Sequence, residues 1–233
     1  MASFRLITGV VLTALVMLAG IWWITPDGHG TRERVSTQLR AHRATELRSI
    51  SGTDRTVQAL IATENSRFFG QRYGLDPLGA VKPLISPILG RGDQGGSTID
   101  QQLAKLAYPD EAQGALGPAR VIVLAMKNDQ IYTRHQILLM YVNVAYFGHG
   151  HYGLADAARG YFGREADQLS WAQASLLAGL VQAPSRYDPL LYLGRARTRQ
   201  AHVLDRLVDT GTLTEAEASV VRSAPLGLRR RAA

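Results

Sequence analysis

Between Leu6 and Ile24 the chain runs nineteen residues without a charge, and no other feature limits its fold so strongly. As a helix rising about 1.5 Å per residue, the run spans roughly 28 Å, close to the hydrocarbon thickness of a bilayer. Trp22 and Trp23 stand at its end, where indoles favour the lipid–water interface. A cleaved signal peptide is the competing reading. It calls for a shorter apolar core followed by small residues, whereas this run ends in Trp-Trp-Ile-Thr-Pro. The sequence therefore predicts residues 1–24 as one uncleaved transmembrane anchor ahead of a globular remainder. Arg5 flanks the run on one side, and Arg32, Arg34, Arg40 and Arg43 on the other. Taken literally, that count sets the remainder in the cytoplasm, although it binds weakly on a long translocated domain.

The chain as a whole is basic, with 26 Lys and Arg against 19 Asp and Glu in 233 residues. It has no cysteine, which excludes disulfide scaffolds, thiolate zinc sites and cysteine nucleophiles. The six histidines form no HxxxH-type cluster. No metal site is predicted, and His149 and His151 read as surface residues of an FGHGHYG turn.

Residues 25–50 are polar, with Gly and Pro at the front, and read as a linker passing into a helix or an extended lead-in. From Arg55 to Phe69, the residues Val57, Leu60, Ile61 and Phe68 follow helical spacing, and Glu64 occupies a place on the same stripe. Burying a carboxylate is costly unless it is partnered or put to use. A structural ion pair and a catalytic carboxylate both fit that position. Residues 73–94 contain three prolines and four glycines, which deny them a regular element. Their Leu84, Ile85, Ile88 and Leu89 suit either a loop on the core or a flap touching a membrane.

The stretch from Gly95 to Lys105 reads as a helix start, with Ser97 as N-cap and Asp100 closing a capping box. A helix N-terminus behind glycines suits an anion, and Lys105 adds a cation beyond it. The GxxxxGK[ST] spacing of a nucleotide loop is absent. Further helices are predicted over 119–131, apolar nearly all round and hence deeply buried, and over 134–144, begun by Thr133 with Gln136. Others are expected over 171–181, begun by Ser170 with Gln173, and over 196–210, ending at Gly211. A last one begins at Thr214 with Glu217. No sustained period-two stretch occurs. The expected class is all-α.

Three stretches carry a resemblance: GGSTIDQQLAK (95–105), ILLMYVNVAYFGHGHYGLADAARGYFG (137–163) and LSWAQASLLAGLVQAPSRYDP (169–189). In that order they resemble the family 51 glycosyltransferases, peptidoglycan polymerases found alone or fused to penicillin-binding transpeptidase domains. The likeness runs from about Thr63 to Leu207. It implies a lysozyme-like helical head over residues 51–222, with a small membrane-facing jaw at about 75–94, behind one transmembrane helix. A basic tail follows at 223–233, and the monofunctional form is implied.

The resemblance also implies a substrate, the lipid-linked disaccharide-pentapeptide, on the outer face of the plasma membrane; this overrides the arginine count. The implied chemistry is an inverting transfer. An acceptor 4-hydroxyl attacks the anomeric carbon of the growing chain and expels a lipid pyrophosphate. Glu64, heading ENSRFF where the family has EDxxFxxHxG, takes the role of base. Gln102 and Lys105 match residues lining the donor phosphate site, and Ser97 and Thr98 shape the cleft. No tightly bound cofactor is implied beyond a divalent cation accompanying the diphosphate. The implied partners are the precursor, the membrane and other cell-wall synthases, with no nucleic acid.

Departures from the pattern are specific. Asn65 replaces an Asp, and Gln71-Arg72 stand where a His is expected. The family's RKxxE falls on Gly117-Pro118-Ala119-Arg120-Val121, so its second carboxylate becomes Val121 and a phosphate-binding base becomes Pro118. Gln113 and Leu139 stand at two further charged positions, while RxxxVLxxM survives as Arg199, Val203 and Leu204, with Leu207 for Met. Arg120 and Lys127 are the candidates to restore the lost charge. Three functions stay open: a polymerase, a non-catalytic relative that binds lipid-linked glycan or cell-wall synthases, and a hydrolase using Glu64 as general acid. The hydrolase wants a second carboxylate nearby.

Overall fold

A computed structural model describes residues 16, 19–51, 54–71, 74 and 97–229. Among them the regular elements are helices: α1 (Thr31–His42), α2 (Arg55–Glu64), α3 (Ile99–Ala107), α4 (Gly117–Ile131), α5 (Arg134–Val144), α6 (Leu154–Phe162), α7 (Trp171–Leu180), α8 (Leu193–Asp209) and α9 (Glu215–Ser223). An isolated bridge between Tyr146 and Tyr152 is the β pairing found in the described residues. The all-α expectation holds.

The core is built around α7, whose residues from Ala172 to Leu180 are all buried. It lies between α2 and α8, and Leu60, Leu176, Leu177, Leu180, Val203 and Leu204 meet there with no exposed surface. Each such side chain contributes roughly 1.5–3 kcal/mol of burial. Gly179 sets how closely α8 approaches: a Cβ there would lie 3.1 Å from Arg199 Cγ and 3.4 Å from Val203 Cγ2. On the other side, α3 packs against α4 and α5. A second, smaller cluster of Ala104, Ala107, Tyr108, Val121 and Leu124 fills that junction.

The predicted capping boxes at Thr133/Gln136, Ser170/Gln173 and Thr214/Glu217 are all formed. Three expectations need correction. The helix expected to reach Phe69 stops at Glu64, because Asn65 leaves helical geometry at φ −162°. The helix over 119–131 is not buried all round: Ile122 is 40% exposed, and the inner face is Val121, Leu124, Ala125 and Asn128. The helix buried on all sides is α7. The cap of α3 is Thr98, whose hydroxyl accepts from Gln101 N at 3.2 Å, rather than Ser97. The expected jaw at 75–94 lies outside the described residues.

The segment expected as a linker contains α1, which buries Val35 and Leu39 on the core. Thr31, fully buried, donates to Asn128 Oδ1 at 2.7 Å and sits 3.1 Å from the Tyr108 hydroxyl. After α1, Asn143 pins the extended chain by bonding both the N–H and the carbonyl of Leu47, at 2.8 and 2.9 Å.

Residues 19–24 are helical. The rest of the expected anchor, apart from residue 16, lies outside the described residues. No helix among the described residues is long and apolar enough to cross a membrane. Lys127 Nζ donates to the carbonyls of Trp22 and Thr25 at 2.7 and 2.8 Å and lies 5.0 Å from the Trp22 ring. Helix-terminal carbonyls need such donors. Burial holds this amine below the usual lysine value, with the Asp27 charge opposing. Lys127→Met keeps the apolar stem and removes both bonds. We expect a loss of about 1–3 kcal/mol in thermal unfolding and faster amide exchange over residues 25–31; unchanged exchange there would show that the amine holds nothing.

Candidate active site

Glu64 is the last residue of α2. A carboxylate there meets the negative end of the helix dipole, and its side chain is only 12% exposed. Both features disfavour a charge, so its partners decide whether it can stay ionised. Gln102 Nε2, from α3, donates to Oε2 at 2.9 Å. Arg199 Nη2, from α8, lies 3.6 Å from Oε1, with its side chain 11% exposed. The Arg199 stem reaches this point by crossing α7 at Gly179.

Gln102 joins several of these groups. Its Oε1 accepts from the hydroxyl of Tyr141 on α5 at 2.8 Å, and its Nε2 also lies 3.4 Å from the Ser97 carbonyl. Tyr141 has no exposed surface. Burial, followed by the Glu64 charge, pushes its ionisation well above the usual tyrosine value. Lys105, exposed on α3, donates to Ser97 Oγ at 2.9 Å. Glu64, Gln102, Ser97 and Lys105 are thus one connected set, one helix turn separating Gln102 from Lys105. Thr98 stands behind them: it is 3% exposed, caps α3, and donates to the Gly74 carbonyl at 3.0 Å.

The residues at the departures are not idle. Asn65 Nδ2 donates to Gln71 Oε1 at 2.8 Å, and Gln71 Nε2 donates to Asp100 Oδ2 at 2.8 Å. Asp100, with no exposed surface, is held by Arg134, with Nη1 3.0 Å from Oδ2 and Nη2 2.8 Å from Oδ1. Arg134 also pairs with Asp129 and lies 5.0 Å from the Phe68 ring centroid. Asp100 therefore closes no capping box. It tethers α3 to α5 and to the segment just after Glu64. The amide pair of Asn65 and Gln71 stands where the family pattern has an acid and a histidine, linking neutral groups at the same two places.

Both candidates for restoring charge have partners elsewhere. Arg120 pairs with Glu111 at 3.3 Å, and Lys127 is committed to the Trp22 and Thr25 carbonyls. Val121, 3% exposed, is part of the apolar cluster between α3 and α4. Pro118 lies in the first turn of α4, where a missing N–H costs nothing. Gln113 is exposed. Val121→Glu would place an unpaired carboxylate among Ala104, Ala107 and Leu124. The expected outcome is a destabilisation of a few kcal/mol in chemical denaturation, with no gain in any activity. A variant as stable as the native protein would mean that the cluster can open to hold an acid.

Among the described residues, no group of three or more His, Asp or Glu could hold a metal ion. His149 is exposed and sits 3.1 Å from Asp188, while His151 is half-buried, edge-on to Tyr161 at 4.9 Å. The surface expectation suits the first and not the second. Two residues facing the site were given no role there from sequence. Arg199 lay inside a matched motif, which was its signal. Tyr141 is a buried hydroxyl in an aliphatic helix, and nothing local announces its partner.

Comparison with known proteins follows the same residues. A family model described as transglycosylase matches residues 31–208. Penicillin-binding protein 1A of Vibrio cholerae is 35% identical over 171 residues, which make up 73% of this chain and 21% of that protein. The chain thus spans about a fifth of that relative. A Cupriavidus necator protein carrying the transglycosylase name is 36% identical over 171 residues, covering 73% of this chain and 74% of its own length. In a crystal structure of penicillin-binding protein 1A from Haemophilus influenzae, the match covers 57% of this chain and 17% of that one, at 26% identity and a TM-score of 0.41.

Proposed function

Because this chain belongs to the transglycosylase family, we propose that it polymerises lipid-linked disaccharide-pentapeptide into glycan strands, with release of lipid pyrophosphate. The observation that carries this reading is Glu64, held nearly out of solvent between Gln102 and Arg199, with Gln102 one helix turn from Lys105 and its Ser97 partner. Glu64 takes the proton from the acceptor 4-hydroxyl as that oxygen bonds to the anomeric carbon. The bond from that carbon to the diphosphate breaks with inversion, and the electron pair leaves with the phosphate. Lys105 faces the departing diphosphate, joined by the Ser97 hydroxyl and Gln102, while Thr98 fixes the helix that carries them. A divalent cation bound with the substrate diphosphate would supply positive charge at the leaving group, where positions 113 and 118 carry none.

In this reading residues 1–24 anchor the chain in the plasma membrane, the lysozyme-like head lies on its outer face, and the 75–94 jaw and basic tail meet the lipid. Other cell-wall synthases are the partners. The second reading, a non-catalytic relative that binds lipid-linked glycan, draws on Val121: the place of the family's second carboxylate is filled with apolar packing. The test is incubation of the full chain in detergent with labelled precursor and magnesium. Precursor should be consumed with equimolar lipid pyrophosphate released, and chelation should slow the reaction. Bound but unconsumed precursor supports the second reading.

A further inference from the structure

We infer that Tyr141 is a positioning residue for Glu64, acting through the side-chain amide of Gln102. A carboxylate only accepts hydrogen bonds, so the amide nitrogen of Gln102 must be the atom that faces Glu64, as it does at 2.9 Å. That choice turns the amide oxygen inward, where the partner it meets is the Tyr141 hydroxyl at 2.8 Å. The oxygen cannot donate, so the phenol must. The result is a one-way chain: phenol O–H to amide oxygen, amide N–H to carboxylate. The second amide hydrogen points towards the Ser97 carbonyl at 3.4 Å.

Removing the phenol would leave the amide oxygen without its donor, next to a ring that has no exposed surface. The amide plane would then be free to turn, and the N–H would no longer be aimed at Glu64. Burial keeps the phenol protonated throughout the working pH range, so the donor is always present. Tyr141 does not touch the reacting atoms. Its effect reaches them through one intermediary, and this inference rests on Glu64 being the base.

The test compares Tyr141→Phe, Gln102→Met and the double variant in the full chain. Tyr141→Phe should lower kcat by about tenfold, the worth of one hydrogen bond to a charged group, with KM little changed. The double variant should be no slower than Gln102→Met alone, because the phenol acts only through the amide. A tyrosine that merely fills the core would give multiplying losses, which would overturn the inference. A second readout needs no turnover. The side-chain amide protons of Gln102, identified by their loss in Gln102→Met, should be well separated and slow to exchange in the native protein. In Tyr141→Phe they should converge and exchange faster; unchanged signals would overturn the inference. If instead Glu64→Gln leaves polymerisation intact, the base reading falls, while these signals still decide whether Tyr141 orients the amide.

Discussion

Glu64→Gln should lower polymerisation by at least about a hundredfold, the usual scale for loss of a general base. The substitution keeps the side chain's shape and removes its ability to take a proton. It also removes the charge that Arg199 faces at 3.6 Å, and it turns one acceptor position opposite Gln102 into a possible clash of two N–H groups. Neither change should unfold the chain, because Glu64 lies at the end of α2 and the buried stripe of Val57, Ala59 and Leu60 is untouched. The melting temperature should fall modestly: relief of a carboxylate from the negative end of the helix dipole offsets only part of the loss of the counter-charge beside Arg199, whose side chain is 11% exposed. Binding of the lipid-linked precursor, read by its quenching of tryptophan fluorescence or by equilibrium filtration, should change little. A fall in turnover with retained affinity separates a chemical role from a merely structural ion pair.

The largest stability effect is expected at Arg134. Arg134→Met leaves Asp100, which has no exposed surface, with only the Gln71 amide, and removes a guanidinium that donates to its Oδ2 and lies 2.8 Å from its Oδ1. Breaking a buried pair from one side typically costs about 3–5 kcal/mol, because the remaining charge is uncompensated. For a domain of this size that corresponds to a fall of about 10 °C in Tm. Asp129 loses its partner as well, and Phe68 loses the guanidinium beside its ring. Adding Asp100→Asn to Arg134→Met removes the stranded charge and should recover much of the loss. If Arg134→Met alone melts within a degree or two of the native protein, the pair contributes nothing net and Asp100 has another source of support. The network matters for function because Asp100 and Gln102 are neighbours on α3: whatever loosens the tether loosens the donor that faces Glu64.

Local signals were readable at three helix starts where the partner lies within one turn. The boxes at Thr133, Ser170 and Thr214 each need only a residue three positions on, and all three formed as expected. Glu64 was legible because a single acid interrupts an apolar stripe of period 3.6. Ser97 and Thr98 both can cap a helix, and the sequence does not say which leaves the helical region; the structure chose Thr98, the residue whose hydroxyl also reaches the Gly74 carbonyl. Asp100 looked like the acid of a capping box, but a guanidinium 34 residues away offers a stronger, buried partner. Asn65 and Gln71 looked like two separate losses. In the fold they bond to each other, which no reading of single positions reveals. The helix α6 went unread because ADAAR is poor in large apolar residues. Its ends are set instead by Gly153 and Gly163, both at positive φ, where a side chain would strain the turn. Arg199 meets Glu64 across 135 positions, and only the packing of α8 on α7 brings them together.

The central claim is that the Glu64 cleft makes glycan. The most direct measurement is gel electrophoresis of products from the purified full chain and fluorescently labelled lipid-linked disaccharide-pentapeptide, with Glu64→Gln run alongside. The account predicts a ladder of strands differing by one disaccharide from the native protein and none from the variant, with both proteins binding the precursor. Native protein that binds the precursor and leaves it unextended would contradict the claim.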